Sequence, residues 1–201
     1  MIISVALRHV EASLSRAEAS RVSRELLEAL LHRNGITIDT PFEMERDEHG
    51  RPFPKNPSLC ALLDFNVSHT KNTVAVALSI RESEKETPRI GIDVESPHPH
   101  IRKKQLAERF FSENEIALLN ESADEESTFL SIWTRKEAYL KYRGTGLAGQ
   151  MQSADTTNPA SLSVTLETYP LSYGDAILSL CLSEGVIPPK SSDFLLIQEN
   201  P

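Results

Sequence analysis

Apolar and polar positions along the chain follow two periods, and the switch between them predicts the elements. Residues 2–7 form a short apolar run of strand character. Over residues 15–32, Val22, Leu26, Leu27, Leu30 and Leu31 recur at helical spacing, with Ser15 or Ser13 as N-cap and Asn34-Gly35 as the stop. Residues 36–44 read as extended, and Pro41 argues against a central strand there. Residues 47–57, rich in Gly, Pro and charge, read as a loop. Residues 59–67 and 73–80 read as strands around a turn at 68–72. Residues 81–88 are polar and end in proline, which marks a connection and a boundary between two subdomains, 1–88 and 89–201. Ile90, Ile92 and Val94 then alternate with Gly91, Asp93 and Glu95. Beyond a stiff loop at 96–100, two short helices are predicted over 102–111 and 112–120, with Ser112 and Glu115 spaced as a capping box. A long helix follows over 124–142. Leu162, Val164 and Leu166, then Ala176, Leu178 and Leu180, predict closing strands.

Composition narrows the class. Hydrophobic residues make up 39% of the 201 and charged residues 25%, as expected of a soluble globular chain with one large or two small domains. No apolar run approaches the roughly 20 residues of a membrane span. The first residues lack a basic stretch before their short apolar run, so they are not read as a signal peptide. Cys60 and Cys181, far apart in apolar contexts, read as two reduced, buried thiols of a cytoplasmic protein. The net charge of −8 argues against nucleic acid as a partner. The imbalance is uneven: residues 1–89 carry 12 Lys/Arg against 13 Asp/Glu, and residues 90–201 carry 9 against 16.

The acidic half holds the candidate chemistry. Residues two apart on a strand point the same way, so Asp93 and Glu95 present two carboxylates on one face. Side by side they repel, and a hard divalent cation such as Mg²⁺ would offset that cost. The plain alternative is a polar outer face of an edge strand. About forty residues later, W-T-R-K-E-A-Y-L-K (133–141) lies on the long helix, and Gly144 and Gly146 close it. Here the plain alternative is a surface helix with a Glu137–Lys141 pair.

Together these stretches resemble the 4′-phosphopantetheinyl transferases, in particular the surfactin-synthetase-type branch. The resemblance rests on G-I-D-V-E (91–95) and W-T-R-K-E-A-Y-L-K, joined by F-N-V-S-H-T (65–70) and G-R-P (50–52). It covers roughly residues 49 to 147, in family order. It implies an α+β fold in which two similar subdomains are related by a pseudo-twofold axis. Each would be a long helix on a small, mainly antiparallel sheet, with the active site between them. It also implies transfer of the 4′-phosphopantetheine arm of coenzyme A to a serine of an apo acyl or peptidyl carrier protein, with Mg²⁺ and release of 3′,5′-ADP.

On this resemblance Asp93, Glu95 and Glu137 match metal ligands. Glu137 or Glu115 matches the base, with a capping role as the alternative for Glu115. Lys136 and Lys141 match phosphate-binding lysines, and Ser68 and His69 match coenzyme A contacts. Arg51 takes the lysine position of the family's G-K-P element. Arg24 sits where the family often has a basic residue near the nucleotide, with a solvated helix charge as the alternative. His98 and His100 lack partner ligands and read as a polar loop rather than a zinc site. A monomer is expected, since two subdomains already form the cleft. A basic segment, 101–110, suggests a docking surface in which Arg102 and Lys103 steer an acidic carrier and Leu106 packs against it. The competing readings are a catalytically inactive protein that binds a carrier or coenzyme A, and another Mg²⁺-dependent phosphotransferase. The absence of a P-loop weakens the latter.

Overall fold

The computed structural model describes residues 1–38, 42–145 and 151–197; the expectations for Pro41 and Gly146 lie outside them. The chain is a mixed α+β protein. β1 (Ile2–His9), β4 (Leu63–His69), β5 (Thr73–Ile80) and β9 (Leu195–Leu196) form a first sheet in the order β4-β5-β1-β9. β6 (Ile90–Glu95), β7 (Val164–Pro170) and β8 (Ile177–Ser183) form a second, in the order β6-β8-β7 and antiparallel throughout. β9 pairs parallel to β1, so the last described residues return to the first sheet and cross the boundary expected at residue 88.

The layers follow from which faces are apolar. α1 (Arg16–Arg33) starts at Ser15, whose side chain accepts from the Glu18 amide while Glu18 reaches back to Ser15. Its stripe of Val22, Leu26, Leu27, Leu30 and Leu31 covers one face of the first sheet, against Ala6, Phe65, Val74, Val76 and Leu78. The other face of that sheet offers Val5, Leu7, Ala75 and Ala77, which pack on Ile90, Ile92, Val94, Leu178, Leu180 and Leu182 of the second sheet. α5 (Glu125–Arg143) covers the far face of the second sheet through Ala138, Tyr139 and Leu140 against Leu166 and Cys181. The order is therefore helix, sheet, sheet, helix.

Several local expectations are corrected. The strand expected over 59–67 begins only at Leu63. Residues Pro57–Leu62 are a short helix, α2, with Asn56 capping the Ser58 amide and Pro57 in the first turn. The expected loop at 47–57 is instead the turn and second strand of a small hairpin, β2 (Met44–Arg46) with β3 (Pro52–Pro54). Asp47 closes it by accepting from the amides of His49 and Arg51. Cys60 is exposed rather than buried; Cys181 is buried. α3 (Lys103–Phe110) and α4 (Glu113–Glu121) follow the predicted spacing, and Ser112 and Glu115 form the capping box. No helix among the described residues is long and apolar enough to cross a membrane.

One glycine decides how closely α5 lies on β6. A Cβ at Gly91 would come within 2.0 Å of the Ala138 carbonyl oxygen and 2.6 Å of the Tyr142 amide nitrogen. Both are backbone atoms, so only displacement of the helix could make room. We expect Gly91→Ala to lower stability by at least about 1–3 kcal/mol, the range for overpacking a tight interior. A denaturant midpoint matching wild type would show that α5 can move away freely.

Candidate active site

The approach of α5 to β6 brings the sequence-predicted acids together from two elements. Asp93 and Glu95 stand on the strand and Glu137 on the helix. Asp93 is 4% exposed. Its Oδ1 accepts from Lys141 Nζ at 2.7 Å and from Ser68 Oγ at 2.7 Å, while its Oδ2 is buried with no hydrogen-bond partner among the described residues. Glu95 is pushed up to about 7, by burial first and then by the charge of Asp93. Glu137 is also pushed up to about 7, again by burial and then by Asp93. Lys141 pulls both back only in part.

Lys141 pairs with Asp93 rather than making the alternative helical pair with Glu137. Its ammonium lies on Asp93, one turn beyond Glu137, and also donates to Ser68 at 2.9 Å. Among the described residues no three His, Cys, Asp or Glu side chains are gathered closely enough to hold a metal as they stand. The donor set nevertheless fits a hard cation in three respects: an orphaned carboxylate oxygen, two further carboxylates starved of positive charge, and oxygen donors only.

Beside these residues opens a cavity of about 510 Å³ between α1, the β2–β3 hairpin, β4 and α5. Arg16, Arg46, His49, Arg51, His69 and Lys141 give it a basic lining, Glu137 is its one acid among the described lining residues, and Ala19, Leu27, Met44 and Phe65 give it apolar walls. His69 is exposed at the end of β4, and partial burial together with Lys141 and Arg16 lowers its pKa. Such a cavity suits a polyanion that also carries a flat apolar group.

The other predicted residues lie elsewhere. Ser68 is buried under Lys141 and bonds Asp93, so it faces the acids rather than the cavity. Lys136 and Glu115 are corrected most. Both are 0% exposed and bond each other at 2.5 Å. Lys136 also donates to the Ala154 carbonyl, and Glu115 accepts from the Thr156 amide and hydroxyl. Adjacent helix positions differ by about 100°, so Lys136 points away from the face that carries Glu137. Glu115 takes the capping alternative. Arg51 lines the cavity, but its guanidinium is bonded to Asp64 and to three backbone carbonyls. Arg24 is an exposed helix charge; Arg16, Ser20 and Ser23 of the same helix line the cavity instead. Sequence reasoning missed these three. Their spacing of four and three, on the edge of the apolar stripe, was the available signal.

The raised carboxylates carry a linkage consequence. In the folded chain Glu95 and Glu137 hold protons up to about 7, whereas in the unfolded chain they release them near the ordinary 4.5. The folded state thus binds more protons in that window, and their contribution to stability falls as pH rises through it. We expect the Glu95→Gln/Glu137→Gln variant, without metal, to gain thermal stability over wild type near pH 8. The gain should shrink near pH 5, and Mg²⁺ should raise the midpoint of wild type but not of the variant. Identical pH profiles for the two proteins would refute this electrostatic picture.

Comparison with known proteins agrees with the motifs. Residues 89–187 match the model of the 4′-phosphopantetheinyl transferase superfamily. The 4′-phosphopantetheinyl transferase AcpT of Salmonella typhimurium is 38% identical over 125 residues, covering 61% of this chain and 60% of that protein. The 4′-phosphopantetheinyl transferase HetI of a Nostoc species is 35% identical over 125 residues, covering 60% and 50%. The L-aminoadipate-semialdehyde dehydrogenase-phosphopantetheinyl transferase of Saccharomyces cerevisiae is 27% identical over 158 residues, covering 72% and 57%. The matched region thus spans about half to three-fifths of these relatives. With the G-I-D-V-E strand and the W-T-R-K-E-A helix meeting at the acids, residues 89–187 belong to the 4′-phosphopantetheinyl transferase superfamily.

Proposed function

We propose that this chain transfers the 4′-phosphopantetheine arm of coenzyme A to a serine of an apo acyl or peptidyl carrier protein, with Mg²⁺. The observation that carries the reading is that Asp93, Glu95 and Glu137 come within electrostatic range of one another and Glu137 lines a basic, partly apolar cavity. In this reading Arg16, Arg46, His69 and Lys141 face the phosphates of coenzyme A, and Met44, Phe65 and Leu27 pack along its apolar part. Asp93, Glu95 and Glu137 would hold the metal, which when bound supplies positive charge to the pyrophosphate. The serine oxygen attacks the β-phosphorus, the bond from that phosphorus to the bridging oxygen breaks, and 3′,5′-ADP leaves with that oxygen. Glu137 takes the serine proton. It lines the cavity, whereas Glu115 is wholly buried in an ion pair, and that contrast favours Glu137. The helix-on-sheet halves are read as a pseudo-twofold pair, and the chain as a cytoplasmic monomer.

The carrier is proposed to dock at α3. Arg102 and Lys104 are exposed there, beside Ile101 at 38% exposure. Lys103 is paired with Glu126 and Leu106 is partly packed into the core, so the exposed Arg102 and Lys104 do most of the steering.

Two experiments test this function. Incubating an apo carrier with the protein, coenzyme A and Mg²⁺ should add one phosphopantetheine to the carrier mass. Asp93→Ala and Glu137→Ala should slow that by about 10²–10³-fold, with the fold retained. No mass change over fatty-acid, polyketide and nonribosomal-peptide carriers, despite tight coenzyme A binding, would instead indicate a binding protein. Separately, Arg102→Glu/Lys104→Glu should raise the carrier KM several-fold at low salt and leave that for coenzyme A unchanged. An unchanged carrier KM would place docking elsewhere.

A further inference from the structure

β4 and β6 belong to different sheets, and no strand ladder joins them. Side chains of β4 do so instead. Asp64 Oδ2 accepts from the Ile90 amide at 3.0 Å, and Asn66 Oδ1 accepts from the Ile92 amide at 3.1 Å. Ser68 Oγ then reaches Asp93 itself. Three residues at spacing two on β4 therefore read three positions along β6 and set its register against the first sheet.

Arg51 ties the same strand to the helix. Its Nη2 donates to Asp64 Oδ2 at 2.5 Å and to the Ile90 carbonyl at 2.8 Å, while its Nη1 donates to the Lys141 carbonyl. One guanidinium thus grips the start of β6 and the last turn of α5, the two elements that carry the acids. Arg89 completes that helix end by donating to the Tyr142 and Arg143 carbonyls at 2.6 and 3.2 Å. The Arg51 side chain is 9% exposed, and both its terminal nitrogens are committed to protein acceptors. A lysine, with one point-like ammonium, cannot span Asp64, the strand and the helix together.

We propose that Arg51, Asp64 and Asn66 are positioning residues that hold β6 against α5 so that the acids converge, and that Arg51 does not bind a coenzyme A phosphate. The inference deepens the transferase reading and rests on it only for its kinetic arm; the metal and coenzyme A arms stand without turnover.

The test uses the full chain as Arg51→Lys, Asp64→Asn and Asn66→Ala. Mn²⁺ affinity is read by paramagnetic titration, coenzyme A affinity by calorimetry in metal-free buffer, and kcat and KM on an apo carrier. Arg51→Lys and Asp64→Asn should each weaken Mn²⁺ by about 10–100-fold, the usual cost of losing the groups that orient a ligand set. The double variant should be no worse than the poorer single, because one unit is broken twice. Coenzyme A affinity and KM should not change, while kcat falls. If Arg51→Lys does not fold, Asn66→Ala carries the test, since it deletes one bond to β6 and, although Asn66 lines the cavity, removes no charge from it. Loss of metal-free coenzyme A affinity in Arg51→Lys, or unchanged Mn²⁺ affinity in Asp64→Asn and Asn66→Ala, overturns the proposal. So does a wild type that binds no Mn²⁺. A wild type that binds Mn²⁺ and coenzyme A yet transfers nothing defeats the proposed function alone, and the affinities still decide this one.

Discussion

The near-contact of α5 with β6 over Gly91 is the constraint from which the site follows. A helix normally keeps a side-chain layer between its axis and a sheet. Here the missing Cβ lets the Ala138 carbonyl descend onto the strand. Glu137, one residue before it, and Lys141, one turn on, are thereby carried to the level of Asp93 and Glu95. The glycine is thus as much a part of the acidic motif as the carboxylates that follow it, because it sets the depth at which the helix sits.

That depth has an electrostatic cost. Asp93, Glu95 and Glu137 are brought within range of one another in a partly desolvated place, and Lys141 offsets the repulsion only in part. The structure answers with neutral and cationic supports around the acids: Ser68 on Asp93, Arg51 and Arg89 on the C-terminal carbonyls of α5. The acids are left with net negative charge that a cation would offset, and carboxylates perturbed in this way cluster at functional sites.

The two faces of α5 divide the chemistry. Lys136 and Glu137 are neighbours in sequence, yet one is sealed against Glu115, Ala154 and Thr156 while the other lines the cavity. The buried pair satisfies its charges with several hydrogen bonds, which is the condition for tolerating it, and it fastens the start of α4 to the middle of α5. A family motif therefore mixes residues of the site with residues that hold the site's scaffold.

The sequence by itself determined most of the elements, since apolar period and capping chemistry are local: the α1 stripe behind its Ser15 box, the Ser112–Glu115 box, the alternation of β6 and the Gly144 stop of α5. The resemblance carried by these motifs also singled out Asp93, Glu95 and Glu137 as one group, and the fold brings them within electrostatic range of one another. Local signals were misread where a cap was overlooked, as at Asn56-Pro57, which starts α2 inside an expected strand. Only the tertiary structure decided which charges meet. Lys141 chose Asp93 over its helical neighbour Glu137, Lys136 turned inward to Glu115, and Arg51 bonds Asp64 and the backbone of two elements far away in sequence. A side chain's partner depends on what packing brings within about 3 Å, and no periodicity along one chain segment encodes that distance.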